Sequence, residues 1–289
     1  MIPSPKLETG KIIIFWDYDT QWGADRSRSP GGPKVWGELE FENTEKLLEI
    51  HAEHDILACF AVVGAAAVPG ERPYNDPDQI RHIHAMGHEV ASHSMHHEWL
   101  PGLGYPKLLR TLRESKDALE QCIGNPIVSF VPPYNQPFDY LSKWSISLSE
   151  RREVKNDRID LRRLCEALEK TGYLFSRVSY STLLEHFLEK LFHKQYDHPS
   201  KLENINNVTC LRLNTLGGFR GEVLKTVERC AHAGGFVVVY GHPHSLHSGN
   251  SQDEKYLIPF LQRVNGLIQS EYLEVVLPRQ LVKSGGQLV

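Results

Sequence analysis

The sequence predicts an α/β fold in which parallel strands close into a (β/α) barrel. Three observations carry that prediction. Apolar runs of strand length alternate with amphipathic runs of helix length along most of the 289 residues, and this alternation favours a parallel sheet. About eight strand-like runs occur, which favours a closed barrel over an open sheet. Polar residues of metal-ligand type gather where several of these runs end, and barrels of this kind keep their sites at that end of the strands.

Taken in order, the strands read as KIIIFWD from Lys11, DILACFAVVG from Asp55, HEVASH from His88 and IVSFVPP from Ile127, then YLFSRVS from Tyr173, VTCLRLN from Val208, GFVVVYG from Gly235 and LEVVL from Leu273. Each is short, apolar and rich in β-branched or aromatic residues. Between them, apolar residues recur at helical spacing in FENTEKLLEIHAEH, DPDQIRHIHAMG, YPKLLRTLRESKDALEQCIG, RIDLRRLCEALEKTG, STLLEHFLEKLFHK, EVLKTVERCAHAGG and EKYLIPFLQRVNGLIQ. Gly87, Gly124, Gly172 and Gly234 stand where helices would stop, since glycine adopts the left-handed conformation of a C-terminal cap. Polar stretches at 135–157 and 194–206 break the alternation and read as loop insertions over one barrel end. The segment from Gly23 to Gly37 reads as part of the rim. No linker interrupts the pattern, so residues 1–289 read as a single domain.

Composition excludes several function classes. The chain is 40% hydrophobic and 24% charged, with a net charge of −4. There is no basic stripe for nucleic acid or an anionic membrane surface. No apolar run approaches the roughly 20 residues that span a bilayer, and the first residues lack the apolar core of a secretory signal, so a cytoplasmic protein is expected. The five cysteines, Cys59, Cys122, Cys165, Cys210 and Cys230, are scattered without CxxC spacing. They indicate neither a disulfide framework nor a thiolate zinc site.

The chemistry collects at strand ends. Asp17 and Asp19 end the first strand two residues apart, on the same side of it. Two like charges sharing one small space call for a positive partner, a metal ion or a shared proton, unless both acids face water. The third strand runs into SHSMHH, where His93 and His97 are four apart, so both imidazoles meet on one side if the chain turns helically there. With Asp19 they make two nitrogens and one oxygen, a set that leaves coordination positions open for water and substrate. Zn²⁺ suits such ligands, as do Co²⁺, Ni²⁺ and Fe²⁺. Trp16 and Trp22 bracket the acids, as stacking surfaces for a sugar or as core residues. The helix histidines His51, His54, His82, His84, His186 and His193 read as solvated.

These residues resemble the polysaccharide deacetylases of carbohydrate esterase family 4, which share the NodB homology domain. FWDYDTQ, SHSMHH, FVPPYN and VVVYGHPH resemble four of the family's motifs in order. The resemblance implies a distorted barrel of seven or eight strands. It implies Asp17 as general base, Asp19, His93 and His97 as metal ligands, Tyr134 as an oxyanion-hole N–H, and His242 as general acid. Ser94 would order the ligand loop. Trp99 and His244 would stand at the rim or touch substrate. The family's third motif begins with Arg, which holds the catalytic Asp; here Val131 replaces it. Arg177, or else Arg212, is expected to supply the missing cation, because an arginine facing inward from a strand needs a carboxylate partner. The implied function is metal-dependent removal of an acetyl or formyl group from the nitrogen of an amino sugar. The substrate would be a nucleotide sugar or lipid-linked precursor of a surface polysaccharide. A non-sugar amidohydrolase of the same fold and a carbohydrate-binding pseudoenzyme are the alternatives.

Overall fold

The computed structural model describes residues 8–26, 36–135, 145–146, 161–179, 181–182, 200 and 202–282. All eight expected strands are present: β1 (Gly10–Tyr18), β2 (Cys59–Val62), β3 (Glu89–Ser92), β4 (Ser129–Phe130), β6 (Phe175–Val178), β9 (Val208–Arg212), β10 (Phe236–Gly241) and β11 (Leu273–Val275). They belong to one curled sheet in the order β10-β1-β2-β3-β4-β6-β9-β8, where β8 is Leu202–Ile205 and β11 pairs with β1; among the described residues no strand ladder joins β8 or β9 to β10, so the barrel expected to close stays open at that seam. Every neighbouring pair is parallel except β8 against β9. The helices are α1 (Thr20–Arg26), α2 (Trp36–Glu53), α3 (Pro77–Ala85), α4 (Tyr105–Ile123), α5 (Leu161–Lys170), α6 (Gly221–Ala233) and α7 (Glu254–Gln269). Gly87, Gly124, Gly172 and Gly234 follow their helices at φ 90°, 71°, 81° and 78°, as left-handed caps require.

Strand alternation divides the core into two layers. Ile12, Ile14, Trp16 and Tyr18 of β1 pack with the helices, whereas Ile13 and Phe15 join Cys59, Ala61, Ala91, Val131, Phe175, Leu211 and Val238 in the barrel interior. Near the seam, the Asn214 side chain does what a neighbouring strand would do. Its amide donates to Phe236 O (3.0 Å) and accepts from Val238 N (2.9 Å), pairing edge groups of β10 that would otherwise be costly to bury. Ser200 bridges Phe236 on the same edge.

Four expectations need correction. The loop expected at 194–206 contains β8, which forms a hairpin with β9 through Asn206 and Asn207, at φ 49° and 58°. Two consecutive left-handed residues make the type I′ turn whose twist suits a hairpin, and asparagine adopts it readily. The rim segment that begins at Gly23 belongs in part to α1, which starts directly after β1. Helix α2 begins at Trp36, five residues ahead of its reading from Phe41. Finally, His51 is fully buried rather than solvated, as is His88; His82 is exposed.

Ser181 and Thr182 form a two-residue strand, β7, with β5 (Ser145–Ile146). The rest of the helix expected at 181–194 lies outside the described residues, as do most of 135–157 and both His186 and His193. Among the described residues, no helix is long and apolar enough to cross a membrane.

Candidate active site

Interior register places the polar cluster. Asp17 continues the inward series of Ile13 and Phe15, His93 that of Ala91, Arg177 that of Phe175, and His242 that of Val238 and Tyr240. The same alternation turns Arg212 outward, beside inward Leu211. Asp17, Asp19, His93, His97 and Arg177 are all at most 4% exposed.

Arg177 grips Asp17 with both ends of its fork: Nη1 donates to Oδ1 at 2.9 Å and Nη2 to Oδ2 at 2.6 Å. The guanidinium lies 5.0 Å from the ring centroids of both Phe15 and Tyr240. The cation on Asp17 therefore comes from β6, the strand next to β4 in the sheet order. Burial works to raise the pKa of Asp17, but Arg177, His93 and His242 outweigh it and hold the carboxyl below its ordinary range. His242 Nε2 lies 4.0 Å from Asp17 Oδ2. Burial lowers the pKa of His242 in spite of the neighbouring carboxylates.

Asp19 Oδ1 stands 3.3 Å from His93 Nε2 and 3.4 Å from His97 Nε2. These three ligand atoms all lie within 4.8 Å of one another. His93 Nδ1 is 2.8 Å from the carbonyl of Val131 and has to donate to it, which leaves Nε2 as an acceptor in the neutral ring. Two acceptors then face each other across 3.3 Å, an arrangement that a cation between them satisfies. Asp19 Oδ1 is buried and has no hydrogen-bond partner among the described residues. Two imidazoles and a carboxylate at these distances, with His93 oriented by the Val131 carbonyl and Asp19 Oδ1 left without a hydrogen bond, fit a divalent ion.

The turn that joins His93 to His97 is not helical. Ser94 and His97 adopt φ 63° and 56°, and these two left-handed residues bring the rings to 5.1 Å. Such a conformation persists only where its surroundings fix it. Ser94 Oγ accepts from Glu98 N (3.1 Å), while its carbonyl accepts from Gly64 N (2.8 Å) and Ser115 Oγ (3.0 Å). Gly23 closes the other side: a Cβ there would lie 2.5 Å from Asp19 Cβ. Only glycine lets α1 fold this closely over the acid.

Around this centre, Tyr134 has φ 65°, and its ring lies 4.4 Å from that of His97 and 5.8 Å from that of Trp99. Trp22 packs edge-on against Tyr74 and His96. Trp16 is core, its Nε1 donating to His51. His244 is not a rim residue: it is 7% exposed and stacked on Trp36 at 4.3 Å. Burial lowers its pKa to about 4. Its neighbour Glu40 is fully buried, and burial together with the Asp19 carboxylate raises its pKa well above the ordinary range. Sequence alone does not single out Glu40, although a carboxylate among Gly37, Phe41 and Thr44 on the inward face of a helix is a readable signal.

Residues 32–146 match the polysaccharide deacetylase family model. The match contains His93, His97 and Tyr134, whereas Asp17, Asp19, Arg177 and His242 lie outside it and join these residues only in the folded chain. A chitooligosaccharide deacetylase from Sinorhizobium fredii is 35% identical over 95 residues, 31% of this chain. That alignment spans 40% of the relative's own length. A putative polysaccharide deacetylase from Mycobacterium smegmatis has a similar fold, with a TM-score of 0.62 at 17% identity over 96% of this chain and 91% of that one. A family 4 carbohydrate esterase from Streptomyces lividans, solved with acetate, covers 99% of this chain and 98% of its own at 12% identity and a TM-score of 0.47.

Proposed function

We propose that the protein is a metal-dependent deacylase that hydrolyses an N-acetyl or N-formyl group on an amino sugar. The observation that carries this reading is the meeting, at one barrel mouth, of the Asp19, His93 and His97 ligand set with an Arg177-held Asp17 and with His242. Asp19, His93 and His97 would hold the ion, and two imidazoles with a carboxylate suit Zn²⁺. When bound, the ion supplies Lewis-acid polarisation of the acyl carbonyl and acidifies a water.

The protein's own groups do the rest. Asp17, kept ionised by Arg177, takes the proton of the attacking water. The resemblance assigns the backbone N–H of Tyr134 to the developing oxyanion, and the left-handed turn of Tyr134 beside His97 supports that role. The departing amine is a poor leaving group until protonated. His242 is largely neutral at pH 7, so it has to receive a proton before giving one. Asp17 Oδ2, 4.0 Å away, is the group that has just collected one.

The substrate class rests on the family match, and the similarity to a chitooligosaccharide deacetylase makes chitooligosaccharides the first substrates to test, ahead of N-acylated nucleotide sugars. Val131 would favour a pseudoenzyme reading; the Arg177 fork on Asp17 supports the active one. Metal content by mass spectrometry, with amine release before and after chelation, tests the proposal. About one equivalent of metal and chelator-sensitive release are expected; absence of metal after reconstitution sinks it. Asp17→Asn is expected to retain metal and lose about 10²–10⁴-fold in kcat. Asp19→Ala is expected to lose the metal itself. A fully active Asp17→Asn variant would remove Asp17 from the chemistry.

A further inference from the structure

Helix α2 touches both halves of the site through one face. On the metal side, Glu40 Oε2 accepts the backbone N–H of Thr20 at 2.6 Å. Thr20 follows Asp19 directly, is fully buried and has φ 53°. A β-branched residue rarely adopts that conformation, and it persists only where its surroundings impose it. The bend at Thr20 lets the chain leave β1 and enter α1 while the Asp19 carboxylate still points at His93 and His97. On the His242 side, the same Glu40 oxygen lies 3.6 Å from His244 Nδ1. One turn earlier on the helix, Trp36 stacks on the His244 ring at 4.3 Å and 12°. Nearly one turn later, Asn43 Nδ2 donates to Pro243 O at 2.9 Å. The His242–Pro243–His244 turn is thus held by Trp36 and Asn43 of α2, and Glu40 between them holds the bend after Asp19.

We infer that Glu40 is a positioning residue: its carboxyl fixes Asp19 by holding the Thr20 N–H, from the same helix face whose Trp36 and Asn43 hold the turn after His242. The inference rests on the deacylase reading for its catalytic consequence, and on geometry alone for its structural one. Glu40 does not touch the reacting atoms. Its side chain is completely inaccessible to solvent, and Oε1 makes no hydrogen bond among the described residues. A carboxyl so placed is costly as packing alone, and methionine would fill the volume without that cost.

An isosteric pair of variants tests the role. Glu40→Met keeps the volume and removes the acceptor; Glu40→Gln keeps an acceptor for Thr20 N–H. In Glu40→Met, Zn²⁺ affinity measured by chelator competition is expected to fall about 10–100-fold, the range seen when groups behind metal ligands are removed. On a chitooligosaccharide, kcat falls at least tenfold and KM stays within about twofold. Glu40→Gln recovers both to within about threefold of wild type. Amide exchange of Thr20 in metal-free protein is expected to speed up at least tenfold in Glu40→Met and little in Glu40→Gln. Unchanged metal affinity and unchanged Thr20 exchange in Glu40→Met would overturn the inference, as would a Gln variant as impaired as the Met variant. A wild-type protein that binds no zinc and releases no amine would sink the deacylase reading instead. Thr20 exchange would still decide the role of Glu40. If Glu40→Met does not fold, the Gln variant decides alone, a tenfold loss of metal affinity refuting the positioning role.

Discussion

Replacing Arg177 with methionine is expected to lower the free energy of unfolding by about 3–5 kcal/mol, the cost of stranding a buried charge by removing its partner. Asp17 is 2% exposed, and both of its carboxylate oxygens take hydrogen bonds from the guanidinium. Without Arg177 the strongest opposition to burial is gone, leaving only His93 and His242 against it, and the carboxyl shifts toward the protonated form. Asp17 then cannot accept a proton from water, and kcat is expected to fall at least a hundredfold. Lysine is no substitute, because a single ammonium lacks the planar fork that serves both oxygens at once. The test is a double-mutant cycle by urea denaturation. Asp17→Asn with Arg177→Met should be more stable than Arg177→Met alone, since the neutral amide no longer needs a counter-ion. If the double variant is no more stable, or the single one stays within about 0.5 kcal/mol of wild type, the pair is not what holds this end of the barrel.

That ion pair shows how far the sequence could be read. Strands announce themselves because burial on both faces leaves continuous apolar runs, and alternation then decides which residues at their ends point inward. Asp17, Arg177 and His242 follow from this rule once the inward series is known, and Arg212 is excluded by it. Elements without a burial signature stay hidden. The partly exposed β8 gives each core layer a single apolar residue, Leu202 and Ile205, so it shows no apolar run, and only its Asn206–Asn207 turn betrays the hairpin. Helix α1 has seven residues, too few to show a period, and starts from a strained threonine. The approach of His93 and His97 looks helical by spacing but is built from two left-handed residues, which no periodicity encodes. His51 sits on a helix whose inward face carries Glu40, Asn43 and Thr44 as well. Polar residues there are legible only through their partners, which lie in distant segments.

His51 and His88 make a large part of the response to acid, while the low pKa of His244 and the raised pKa of Glu40 act in opposite senses over the same range. His51 is fully buried, and its two nitrogens are satisfied as a neutral ring: Nδ1 faces Ile56 O at 2.8 Å, and Nε2 accepts from Trp16 Nε1 at 2.9 Å. Protonation would set a new N–H against the indole N–H. Burial, with His88 beside it, accordingly lowers the His51 pKa from 6.5 to about 3. Burial lowers that of His88 to about 4, its Nδ1 accepting from Ala58 N. Both rings bind protons in the unfolded chain at a higher pH than in the folded one, so each contributes stability above pH 6.5 that is lost as pH falls toward its folded value. At about 1.4 kcal/mol per pH unit, the loss approaches about 5 kcal/mol for His51 and about 3 kcal/mol for His88. The two rings are in contact, and the contributions are not additive. Glu89 runs the other way. Burial raises its pKa from 4.5 to about 7, against the Arg279 N–H and Ser129 hydroxyl that it accepts. Its contribution is complete below pH 4.5 and is lost as pH rises toward 7, so between pH 6.5 and 4.5 it offsets about one histidine. Below pH 4.5 that offset is exhausted, while the low-pKa carboxylates Asp17, Asp19 and Glu98 begin to lose theirs. Stability is therefore expected to decline gently from pH 6.5 to 4.5 and steeply below. Urea denaturation across this range measures the slope, and His51→Gln, which carries no titrating ring, should flatten it by about one proton between pH 6.5 and 4. An unchanged slope in that variant, or a His51 ring resonance that titrates near pH 6.5, would show that His51 is not held neutral by the fold.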